Sequence, residues 1–235
     1  LLAETTAVAE AGAVADLPAG QRAEGKAPRK KNFTVNNTGT ITHIGAGSGT
    51  ATISSVIGTN VTGITQNSST SALTLSGNNS TVGGVTITSG TLELAGTTNL
   101  NVAGNWSNSG TFTANSSTVT FTGTGGGIVV ATTTYYNLTF TPTSTTALST
   151  YVFDIRNGSS TCFSTNGCTS TTTISNVLTL NASSSVNFNS NAVILSGSGT
   201  VFEKANGAFV ANGSLVKYTS TSATNIATGT YANLV

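Results

Sequence analysis

Charge is the scarcest property of this chain. Lys and Arg together number 8 and Asp and Glu 7, or 6% of 235 residues, against about a quarter in an ordinary soluble domain. A net charge of +1 with no basic stripe argues against nucleic acid or an acidic membrane as partner. Long apolar runs are missing as well, so no helical membrane span is expected. The chain has no Met, one Trp and one His. It opens Leu1-Leu2-Ala3 without the charged and apolar regions of a secretion signal, and reads as a processed form or a fragment. A single His and two Cys do not make an ordinary zinc site, and no cofactor motif stands out.

What is abundant is small, polar and uncharged. Thr, Ser and Asn number 47, 29 and 24, with 27 Gly besides. Disordered chains are rich in charge and poor in β-branched and aromatic residues; this chain is the reverse. It reads as all-β.

One compositional boundary divides it. Residues 1–31 carry nine of the charges, Glu4, Glu10, Asp16, Arg22, Glu24, Lys26, Arg29, Lys30 and Lys31, with Pro18 and Pro28. Residues 32–235 carry six. The first piece is expected to be an N-terminal arm, either a weak helix or a donor-type strand. Its small apolar residues Ala7, Val8, Ala9, Ala11, Ala13, Val14, Ala15 and Leu17 suit a strand laid on the open edge of a neighbouring subunit. Proline then stops the sheet from propagating. Folding back as a cap on its own first coil is the alternative.

Beyond the arm the chain repeats itself. Gly110–Phe121 aligns with Gly207–Tyr218, and Val130–Leu138 with Ile226–Leu234. Leu92-Glu-Leu94 and Leu100-Asn-Val102 match Leu178-Thr-Leu180 and Val186-Asn-Phe188. A long unit, roughly 85–150, therefore recurs at roughly 171–235. The second copy stops where the first continues Thr139-Phe140-Thr141, so the array is expected to be cut, capped or continued by a neighbour there.

Within each unit the triplets alternate apolar, polar, apolar: Leu73-Thr-Leu75, Val85-Thr-Ile87, Val119-Thr-Phe121 and Leu138-Thr-Phe140. Period 2 marks a strand with one buried face, and Gly and Asn between the triplets supply corners. Strands this short bury little alone. Stacked in coils of about 20–25 residues they share a core, which gives a parallel β-solenoid of roughly nine coils. A β-sandwich is the alternative. Low charge favours stacking, since rows of Thr, Ser and Asn can hydrogen-bond along a ladder.

The segment Leu73-Thr-Leu-Ser-Gly-Asn-Asn-Ser-Thr-Val-Gly-Gly-Val-Thr-Ile-Thr-Ser-Gly-Thr-Leu-Glu-Leu94 resembles the autotransporter-associated β-strand repeat of bacterial surface passengers. The block from Asn105 to Phe140 is similar to repeats of large microbial adhesin-like proteins. These resemblances imply a right-handed parallel β-helix displayed outside the cell. No alternating membrane-barrel segment is read within residues 95–235.

Chemistry-bearing residues are sparse. Beyond the arm the acids are Glu93, Asp154 and Glu203, far apart in sequence. Asp154 with Arg156 reads as an ion pair, and Glu203-Lys204 as a solvated turn. His43 has no carboxylate near it in sequence, so a serine hydrolase triad is not expected. Cys162 and Cys168 flank an Asn166-Gly167 turn and are expected to form a disulfide in an oxidising compartment. Sequons allow N-glycosylation at Asn60, Asn67, Asn78, Asn105, Asn115, Asn157, Asn181 and Asn212; Asn137, in a strand pattern, suits it least. The expected function is a non-enzymatic extracellular structural protein, associating head to tail into a surface filament or adhesin without a cofactor. One alternative is a glycan-binding module stacking sugars on Trp106, Tyr135 and Tyr136. A remoter one is ice binding by rows such as Thr118-Val-Thr120 and Thr86-Ile-Thr88.

Overall fold

Each apolar–polar–apolar triplet forms a short strand, and every strand pairing is parallel. The computed structural model describes residues 7–8, 34–78, 81–124, 128–142, 153–155, 171–182, 184–188 and 191–235. Successive coils stack as a β-solenoid of about eight turns. A sandwich would need antiparallel neighbours, so that alternative falls.

Strands lie on three faces. The first face runs from Ala7–Val8 through Gly39–His43 to Ala208–Val210. The second runs from Ala51–Ile53 to Asn233–Leu234, and the third from Thr34–Val35 to Phe202–Lys204. The long strands Val61–Leu75 and Gly84–Leu94 turn the corner from first to second face, with their register shifted around Asn67. Thr134–Phe140 and Thr171–Leu180 turn the next corner in the same way, with a shift after Tyr135.

The core is a set of vertical columns. On the first face Ile41, Ile64, Val85, Trp106 and Val130 stand above one another. Ala51, Leu73, Leu92 and Phe112 do so on the second. Leu100, Val119, Leu138, Leu178 and Phe202 fill a column on the third. All are buried, so each coil completes the core of the next.

Two features depart from the sequence reading. The coils number about eight rather than nine because neighbouring coils are unequal. Asn108 ends a first-face strand and Thr111 begins the following second-face strand, whereas the corresponding step from Ile155 reaches Thr171. That long step contains Cys162 and Cys168, which lie outside the described residues. The long repeat, moreover, does not superpose coil on coil. Phe112 stands on the second face, but its sequence counterpart Phe209 stands on the first. Leu92 is likewise on the second face and its counterpart Leu178 on the third. The interchangeable unit is the strand triplet, because any face accepts the same in–out–in pattern.

Candidate functional sites

The one histidine is where the structure adds most to the sequence. His43 ends its strand facing inward, 2% exposed, one register step from Gln66 in the next coil. Its Nδ1 lies 2.6 Å from Gln66 Oε1. Gln66 Nε2 donates to the carbonyls of Ser68 (3.1 Å) and Ser71 (2.9 Å), which turns Oε1 toward the ring and places the proton on Nδ1. The other nitrogen, Nε2, lies 3.3 Å from Ser71 Oγ.

The order acceptor, imidazole, hydroxyl is that of an activated serine, but the surroundings are those of a clasp. Ser68, Thr70 and Ser71 donate their hydroxyls to the carbonyls of Gly45, Gly47 and Gly49. The Ser71 amide donates to Ser68 Oγ at 3.2 Å, so it is not directed at an oxyanion. Three hydroxyls thus hold the exposed 44–50 loop onto a buried polar plug. The residues between Asn67 and Ala72, where the ladder shifts register, were unreadable in advance because the period-2 pattern fails there.

Trp106 and Tyr135, expected as sugar-stacking candidates, are both fully buried. Trp106 packs edge-on to Phe112 at 4.8 Å and to Tyr135 at 5.9 Å. Tyr135 Oη donates to the Ala131 carbonyl at 3.0 Å, and burial raises its phenol far above the usual range. They are core: both belong to one buried aromatic cluster with Phe112 and Phe121. Tyr136 is half-buried and packs against the same core. Glycan stacking on Trp106 or Tyr135 is therefore excluded.

The outward positions carry polar ladders. Asn137 Nδ2 donates to Thr118 Oγ1 (3.1 Å) in one neighbouring coil and its Oδ1 accepts from Asn176 (2.8 Å) in the other. Thr120 stands in a column with Asn101, Thr139 and Thr179, which Glu203 ends. Thr86 stands with Thr42, Thr65 and Ser107 on the first face. These rows mix residue types rather than repeating one threonine lattice.

Sequon asparagines sit mostly at corners, and several staple coils together. Asn105 Oδ1 accepts from the Val129 amide at 3.0 Å. Asn115, at φ 48, donates to Glu93 Oε1 (3.0 Å) and to the Leu94 carbonyl (2.7 Å). Asn181 donates to Thr141 (2.7 Å) and Asn212 to Asn187 (3.0 Å). Asn67 Oδ1 accepts from Ser89 at 3.1 Å. Asn60, Asn67, Asn78, Asn105, Asn115 and Asn212 are exposed and Asn181 half-buried; Asn157 lies outside the described residues.

Of the arm, Ala7–Val8 pairs parallel with Ile41–Thr42 of its own chain, adding a strand beneath the first coil. Ala9, Ala11, Ala13, Val14, Ala15 and Leu17 lie outside the described residues, as does Arg156. Asp154 lies in a first-face strand, opposite Val129 and Asn187. No family model, curated protein or solved structure matches the chain.

Proposed function

We propose that the chain is a structural rod of an extracellular surface, a subunit that joins end to end with further copies of itself to build a filament or adhesin shaft. One observation carries this reading. Among the described residues, the exposed large apolar side chains are Ile44, Val56, Ile226, Leu234 and Val235. The first two belong to the first coil and the other three to the last; the long sides carry polar ladders instead. Open strand edges accompany them. Among the described residues, Ala51–Ile53 and Asn233–Leu234 each pair with one strand only, and such edges template the addition of another chain. A contact between unlike ends does not close on itself and builds a fibre. The likeness of residues 73–94 to surface-passenger repeats and the exposed sequons support a place outside the cell.

Sedimentation velocity over a range of concentrations, with electron microscopy of the same samples, tests the reading. Linear oligomers that lengthen with concentration are expected. A single monomeric species at high concentration overturns it.

A further inference from the structure

Joining a saccharide to asparagine replaces one hydrogen of the side-chain amide and leaves its oxygen and one N–H in place. Which atom an asparagine already uses therefore decides whether its sequon can be modified without loss to the fold. Asn60 is held through its backbone N–H, by Asn36 Oδ1 at 2.9 Å, and its side chain is unbonded among the described residues. Asn67 and Asn105 use Oδ1, which accepts from Ser89 Oγ at 3.1 Å and from the Val129 amide at 3.0 Å. Their Nδ2 groups are unclaimed among the described residues.

Each of these three opens an out–in–out triplet. Val61, Ser68 and Trp106 are buried, while the asparagines and the hydroxyl residues Thr62, Ser69 and Ser107 are exposed. Alternation along the backbone thus presents both signature residues of Asn-x-Ser/Thr on one solvent-facing side.

Other sequons are built the opposite way. Asn115 commits Nδ2 to Glu93 Oε1 (3.0 Å) and the Leu94 carbonyl (2.7 Å), Asn181 to Thr141 Oγ1 (2.7 Å), and Asn212 to Asn187 Oδ1 (3.0 Å). Ser117 and Ser214, the hydroxyl residues of the first and last, are buried, and Ser117 donates to the Gly96 carbonyl at 3.0 Å. Modification at these positions breaks a bond between coils.

We infer that Asn60, Asn67 and Asn105 are the positions where the folded chain carries N-linked saccharide, and that Asn115, Asn181 and Asn212 are coil staples closed to it. The sugar donor is a lipid-linked oligosaccharide diphosphate. Nδ2 bonds to the anomeric carbon as the bond from that carbon to the diphosphate breaks, and the displaced Nδ2 proton leaves with the lipid diphosphate. The three sites flank the first face: Asn60 and Asn105 precede its strands, and Asn67 sits where a long strand leaves it. Saccharide there lies along a side of the rod without entering the stack of coils. The inference deepens the extracellular reading proposed above and rests on it.

The test treats the folded full chain with a lipid-linked oligosaccharide and a single-subunit oligosaccharyltransferase that accepts all six sequons as short peptides. Circular dichroism verifies the fold, and peptide mapping after enzymatic sugar release in heavy-oxygen water gives the occupancy of each site. Occupancy at Asn60, Asn67 and Asn105 is expected to exceed that at the staples by about tenfold or more, the factor set by breaking one hydrogen bond to a charged or buried acceptor. Asn60→Gln, Asn67→Gln and Asn105→Gln combined are expected to remove most of the incorporated sugar. Equal occupancy at the staples overturns the inference, as does a folded chain that stays unmodified at the three open sites. Either result leaves the end-to-end reading standing, because sedimentation decides that separately.

Discussion

Gln66 and His43 are joined across two coils by a 2.6 Å contact between Oε1 and Nδ1. The amide's own donors, fixed on the Ser68 and Ser71 carbonyls, decide which ring nitrogen is protonated. Neutral His43 is therefore expected as the Nδ1–H tautomer, with Nε2 unprotonated toward Ser71. Nitrogen-15 shifts of the imidazole read this directly; an Nε2–H tautomer contradicts it. Gln66→Leu leaves the ring donor unpaired in a buried site and is expected to cost about 1–3 kcal/mol, measured by denaturant unfolding.

Trp106 fills the first-face column between Val85 and Val130. Trp106→Ala is expected to cost about 3–5 kcal/mol, as for other large-to-small changes in a packed core. Its indole N–H has no hydrogen-bond partner among the described residues, so Trp106→Phe removes an unsatisfied donor and is expected to cost clearly less. As the chain has one Trp, its fluorescence reports this site alone. Blue-shifted emission resistant to acrylamide is expected; strong quenching in the folded state refutes the burial.

Tyr135 gives the fold an alkaline limit. Its pKa is raised by desolvation when folded, while the unfolded phenol titrates near 10. The folded state therefore holds its proton where the unfolded state loses it. The stabilisation is fully present below pH ~10 and is lost as pH rises above that. Unfolding free energy should fall with pH over that range. Tyr135→Phe is expected to flatten this slope, at a cost of about 0.5–1.5 kcal/mol at neutral pH from the lost bond to Ala131. An equal slope in the variant sinks the assignment.

Gly90 is held at φ +70, and a Cβ there would clash with the Ser68 carbonyl oxygen. Its backbone lies directly against the Gln66 plug. Gly90→Ala is expected to destabilise by more than about 1–2 kcal/mol, since both the conformation and the space oppose it. Gly47, in the loop above, has nothing within 4 Å of such a Cβ; Gly47→Ala is expected to stay within about 0.5 kcal/mol. Comparable losses at the two sites refute the tight corner.

The local rules were legible in the residues. Triplets such as Val119-Thr-Phe121 and Leu138-Thr-Phe140 specify strands with one buried face, and they became register partners in adjacent coils. Scarce charge and abundant Thr, Ser and Asn marked the outward positions, where Asn137 and Thr118 bond between coils. Both properties depend only on near neighbours in the chain, which is why composition and period carried them.

Which strand stacks on which was decided by the tertiary structure. Phe112 and Phe209 sit in matching sequence yet on different faces, because an in–out–in triplet fits any face and only closure of the whole coil fixes its place. The same closure carried Trp106 and Tyr135 inward, and brought Gln66 and Ser71 to His43 from the next coil. Each of these relations spans one or more coils, a separation over which the alternating pattern repeats without marking its position.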